Sequence, residues 1–72
     1  MIDPHRVLGR AGGAEQIEQA GPVLRLYRMA SGPFTFGCVR CGHEQRARVV
    51  AVVEDRAFVC RSCYDVLKRS VR

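Results

Sequence analysis

The four cysteines of this chain fall in two matched pairs, Cys38-Val39-Arg40-Cys41 and Cys60-Arg61-Ser62-Cys63, with the spacing C-x2-C-x18-C-x2-C. No other feature limits the possible folds so strongly. Two residues between cysteines let one tight turn aim both sulfurs at a single point, and two such turns complete a tetrahedron. Four thiolates in that arrangement suit Zn²⁺, whose filled d shell imposes no geometry of its own. Gly42, directly after Cys41, fits a knuckle in which the backbone turns with positive φ. The reading is one structural zinc held by Cys38, Cys41, Cys60 and Cys63.

Chain length explains why such a staple is needed. Seventy-two residues make one domain at most, and so short a chain buries too little apolar surface to offset its conformational entropy comfortably. The opening Met-Ile-Asp-Pro-His-Arg lacks the basic-then-apolar build of a signal peptide, so a reducing, cytoplasmic setting is expected, in which paired cysteines bind metal more often than they form disulfides. Iron in a rubredoxin-type site is the chemical rival. That site carries Gly after both cysteine pairs, whereas Tyr64 follows Cys63 here. No run approaches the ~18 apolar residues of a membrane span.

The metal site reads as closed. Four cysteines leave no coordination position for an activating water, and His43, two residues past Cys41, reads as a solvent-facing residue of the knuckle. No Ser/His/Asp set, Gly-rich phosphate loop or carboxylate pair occurs elsewhere, and the adjacent Glu54 and Asp55 read as a solvated turn. The expectation is therefore no enzyme and no small-molecule substrate.

Along the chain, residues 1–21 read as a flexible N-terminal arm punctuated by Gly9, Gly12, Gly13 and Gly21. Only Ala14 to Ala20 (AEQIEQA) has helix-forming composition there. Residues 22–72 read as a single zinc-finger domain. Val23 to Met29 is rich in strand formers, and Phe34-Thr35-Phe36 alternates, so the two stretches are expected to pair as a hairpin through Ser31-Gly32-Pro33. Both phenylalanine rings then share one face beside the cysteines, either packing over the metal site or stacking on bases. Arg46 to Val53 reads as one strand, Glu54-Asp55-Arg56 as a turn, and Ala57 to Cys60 as the returning strand. After Cys63, Tyr64, Leu67 and Val71 at i, i+3 and i+7 predict an amphipathic helix.

The segment from Cys38 to Arg72 resembles the treble-clef zinc fingers: a C-x-x-C-Gly knuckle (CVRCG), a β-hairpin, then a second C-x-x-C (CRSC) opening a helix (YDVLKRSVR). By spacing it is similar to GATA-type DNA-binding fingers and to the finger of DksA/TraR-type regulators of RNA polymerase. The likeness implies a small zinc-stapled α+β fold, a treble-clef-like finger with an additional N-terminal β-hairpin, and a role in transcription. The alternative architecture is a zinc ribbon, with the second pair on another β-knuckle. Only the four cysteine ligands are carried over from the family.

Charge points to the class of partner. Residues 1–21 carry two basic and three acidic groups, a balance of −1, while residues 22–72 carry ten and four, a balance of +6. Arg40 and Arg61 lie inside the knuckles, Arg46 and Arg48 share a strand face at i and i+2, and Lys68, Arg69 and Arg72 lie toward the end of the helix. If these converge they form a phosphate-binding surface, and the partner is nucleic acid, RNA polymerase or another transcription-associated protein. The alternative is a protein–protein adaptor. Val49 to Val53 exceeds what a two-stranded hairpin over one helix buries, so that strand is expected either to be covered by residues 23–29 or to pair into a homodimer.

Overall fold

The computed structural model describes residues 3–70. Element order is α1 (Pro4–Arg10), β1 (Ala14–Ala20), β2 (Leu24–Met29), β3 (Phe34–Gly37), β4 (Glu44–Ala47), β5 (Val49–Val53), β6 (Ala57–Val59) and α2 (Arg61–Ser70). This is a small α+β fold of antiparallel sheets with a C-terminal helix. A four-stranded sheet has the order β1-β2-β5-β6, and β3 and β4 form a separate two-stranded sheet.

Register explains how the layers stack. Leu26 sits opposite Ala51, and Ala51 opposite Val59, so these side chains share a face of the large sheet. Glu18 lies opposite Leu26 and pairs with Lys68 of α2, which identifies that face as the one under α2. The other face carries Tyr27, Val50, Val52 and Phe58. The His5 ring of α1 meets Tyr27 edge-on at 5.8 Å, and Phe34 of β3 meets Phe58 at 5.6 Å. The large sheet is thus covered by α2 on one side and by α1 with the β3–β4 hairpin on the other. Leu26, Val50, Ala51, Val52, Val59 and Tyr64 are all essentially inaccessible.

Several expectations change. Within residues 1–21, read as a flexible arm, the structure forms α1 and a strand paired along β2. Ala14–Ala20 is strand despite its helix-forming composition, because pairing with β2 satisfies its backbone and overrides a weak local preference. Its register slips at Ile17, between Gln16 and Glu18, and such an irregularity on an edge strand discourages further pairing. Asp3 caps α1 by accepting from the backbone N–H of His5, and Pro4 takes the first helical position.

The expected hairpin between residues 23–29 and 34–36 does not form. β2 lies between β1 and β5, while β3 pairs with β4. Both faces of β2 are apolar enough to be central in a sheet, and a central strand takes partners from afar. Arg46 to Val53 is not one strand but two, broken at the bend of Arg48, whose carbonyl accepts from Met29 N–H at 2.7 Å. The Val49–Val53 strand is covered by β2 along one edge, as expected of residues 23–29, and by β6 over Ala51–Val53 on the other.

The β5–β6 turn is as expected. Glu54 and Asp55 both adopt left-handed φ, 54° and 55°, and Arg56 N–H closes the turn onto Val53 carbonyl at 3.0 Å, as in a type I′ hairpin. Helix α2 starts at Arg61, so the second cysteine pair opens a helix and does not form the β-knuckle of a zinc ribbon. No described helix is long and apolar enough to cross a membrane.

Candidate metal centre

The first cysteine pair occupies the turn between β3 and β4. Cys38 N–H donates to the His43 carbonyl at 3.0 Å, and Gly42 N–H donates to the Cys38 carbonyl at 2.9 Å. Gly42 has φ +76°, the left-handed value that this knuckle needs at its end. Cys41 N–H points at Cys38 Sγ, 3.5 Å away. The second pair follows β6, and Tyr64 N–H donates to the Cys60 carbonyl at 2.8 Å, the first turn of α2. One cross-connection brings the pairs together: Val39 N–H, inside the first knuckle, donates to the Phe58 carbonyl of β6 at 3.0 Å.

The Sγ atoms of Cys38, Cys41, Cys60 and Cys63 all lie within 4.8 Å of one another, with Cys38 and Cys63 at 3.6 Å. Sulfurs about 2.3 Å from a tetrahedral ion are separated by about 3.8 Å, so the cluster has the dimensions of a four-thiolate metal site. All four cysteines are free. Cys38, Cys60 and Cys63 are buried, and Cys41 is exposed.

Their acidities diverge. Burial pushes the Cys38 thiol up, but hydrogen bonds from the backbone N–H groups of Cys41, Cys60 and Arg40 outweigh it and bring it down to about 6. Burial pushes Cys63 the other way, to about 12, helped by the neighbouring Cys60 and Cys38. One thiolate thus forms readily and discourages the next, as expected where several sulfurs share a pocket and a cation is required to hold them all ionised. The start of α2 adds favourable dipole potential to the second pair.

His43 is exposed and is not among the clustered ligands. Phe34 and Phe36 stack at 5.9 Å, and Phe58 joins them at 5.6 and 5.9 Å, forming an aromatic group directly before the first knuckle. Phe36 is buried in this group, whereas Phe34 and Phe58 are half-buried.

The expected basic surface separates into different uses. Arg46 on β4, Arg48 at the bend and Arg69 on α2 are exposed, with no acidic side chain in ion-pair range among the described residues. Arg61 is held by Asp65 at 3.5 Å, and Lys68 pairs with Glu18. Arg40 is exposed but leans over the cysteines, its Nη1 3.8 Å from Cys63 Sγ. Arg72 lies outside the described residues.

Sequence reasoning missed two neighbours of the sulfurs, Arg40 and Gln45, whose Nε2 is 3.9 Å from Cys41 Sγ. Comparison with protein-family models, with curated proteins and with solved structures finds no match to this chain.

Proposed function

We propose that this chain is a non-enzymatic binding module stapled by one structural zinc ion, a treble-clef-type finger that serves as an accessory or regulatory protein in transcription. Cys38, Cys41, Cys60 and Cys63 would hold the ion, which supplies folding free energy and no reaction chemistry. The observation that carries the reading is the convergence of four free sulfurs within 4.8 Å, drawn from a knuckle and from a helix start. Zinc is favoured over iron because Tyr64, not Gly, follows the second pair.

The partner class rests on charge. The +6 balance of residues 22–72, together with exposed and acid-free Arg46, Arg48 and Arg69, supports contact with nucleic acid or with an acidic face of the transcription machinery. Two measurements test the whole. Elemental analysis of protein purified under reducing conditions should give one zinc per chain, and far less than one equivalent of any metal would refute the reading. Retention on heparin or DNA across a salt series, with light scattering for mass, should show a monomer whose retention falls steeply with salt. Salt-insensitive behaviour without retention would instead indicate a protein-binding adaptor.

A further inference from the structure

We infer that Arg40 belongs to the metal centre and not to the partner-binding surface: its guanidinium offsets the negative charge of the sulfur cluster and ties the two cysteine pairs together. This rests on the reading that the four cysteines hold a metal ion. Each cysteine pair has one arginine between its cysteines, Arg40 and Arg61, yet the structure uses the two differently. Arg61 turns along its helix to Asp65, 3.5 Å away. Arg40, in the first pair, reaches Cys63 of the second, with Nη1 3.8 Å from Sγ.

The chemistry gives that contact a purpose. A divalent ion with four thiolates carries two net negative charges, and three of the four sulfurs sit on buried residues where water solvates them poorly. Buried charge is costly unless it is paired and hydrogen-bonded. Among the described residues Arg40 is the one cationic side chain placed against a sulfur; Lys68 is engaged with Glu18 and Arg61 with Asp65. A guanidinium suits the position because it is always charged, is weakly hydrated and presents several donors from one plane. Outer partners of this kind orient ligands and tune affinity, and their loss typically costs about 10–100-fold in metal binding.

The test compares the full chain with Arg40→Ala, Arg40→Lys and Arg61→Ala, each loaded with Zn²⁺ or with Co²⁺. Arg40→Ala should still bind one equivalent, yet lose it to a chromogenic chelator at about 10–100-fold lower chelator concentration. Its sulfur-to-cobalt charge-transfer band should move to lower energy, because the sulfur electrons are no longer stabilised by a nearby cation. Arg40→Lys should recover part of both changes, and Arg61→Ala should match the parent. The inference is overturned if Arg40→Ala leaves retention and band unchanged, or if Arg61→Ala does equal damage. It is also overturned if Arg40→Ala weakens only the salt-dependent retention on DNA, which would place Arg40 on the partner surface. If Arg40→Ala fails to fold, Arg40→Lys still decides the matter, since a point charge without the planar fork should shift the band without abolishing binding. A parent chain that binds no metal defeats the underlying reading itself, a result distinct from any of these.

Discussion

His5 and Asp55, fifty residues apart in the chain, meet with His5 Nε2 2.8 Å from Asp55 Oδ1. Arg25 Nη1 reaches the same oxygen at 2.9 Å. One carboxylate in the β5–β6 turn therefore clasps α1 and the central strand β2 together, and a turn that reads in sequence as merely solvated is a tie between layers.

That carboxylate predicts a pH dependence. The hydrogen bond from His5, and then the positive charge of Arg25, hold the Asp55 carboxyl below its ordinary value. A group with a depressed folded-state pKa contributes stability that is complete above its unfolded value, about 3.9, and lost as pH falls through the folded one. Asp55→Asn, which keeps a residue tolerant of left-handed φ, should melt below the parent at neutral pH, with the gap closing in acid. Acid also releases the metal from its thiolates, so the decisive comparison is at neutral pH with metal bound, where equal melting of Asp55→Asn and the parent would refute the assignment.

Gly12 should not tolerate a side chain. Its φ is +100°, and a Cβ there would lie 1.7 Å from Ser31 Oγ and 2.8 Å from Ser31 Cβ. Gly12→Ala should lose on the order of 1–3 kcal/mol from backbone strain alone, plus the clash. Adding Ser31→Gly should recover only the second part in chemical denaturation, since φ is unchanged.

Tyr64 offers a substitution that should do no harm. It is fully buried, and its hydroxyl has no hydrogen-bond partner among the described residues. Burial and the nearby Glu18 carboxylate raise its pKa, so the hydroxyl stays neutral, and Glu18 is too poorly placed to give it a well-formed hydrogen bond. Removing an unsatisfied buried hydroxyl relieves a penalty of about 1–3 kcal/mol, so Tyr64→Phe should be neutral or stabilising by thermal melt. Tyr64→Ala, which removes the ring between α2 and the sheet, should cost about 3–5 kcal/mol.

The four sulfurs should not be equal. Cys38 is 2 % exposed and receives backbone donors, whereas Cys41 is exposed. Cys38→Ser should therefore sensitise the fold to chelator more than Cys41→Ser, as read by near-UV circular dichroism during titration. Complete metal removal should abolish tertiary structure throughout the described residues, because β1 and β2 share one sheet with β5 and β6 and structural zinc is worth about 10–16 kcal/mol in small fingers, as much as the stability of a whole domain.

The parts legible in sequence were those in which local chemistry decides. Cysteine spacing announced the four-sulfur cluster, Glu54-Asp55 announced the β5–β6 turn, and the Tyr64–Leu67 spacing announced α2. The N-terminal strand was hidden because Ala, Glu and Gln at 14–20 favour helix locally, while the unpaired backbone edge of β2 decides otherwise. The partner of β2 was misassigned because Ser31-Gly32-Pro33 suggests a local hairpin. The uninterrupted apolar run Val49–Val53 was the better guide, since a strand buried on both faces reads that way. Arg40 could be located only in the structure, because a side chain crossing from one cysteine pair to the other leaves no periodic trace.

The pairing of β2 with β5 joins Leu24 to Val53 across the first knuckle, while the sulfur cluster joins Cys38 to Cys63 across β5. The two closures interlock like links of a chain, each lying partly within the span of the other. Forming either one shortens the free length that the other has to draw together, and so lowers its entropic cost. Ion uptake and strand assembly should consequently proceed as one event, with a single sigmoidal transition and no stable half-built species between apo coil and finished domain.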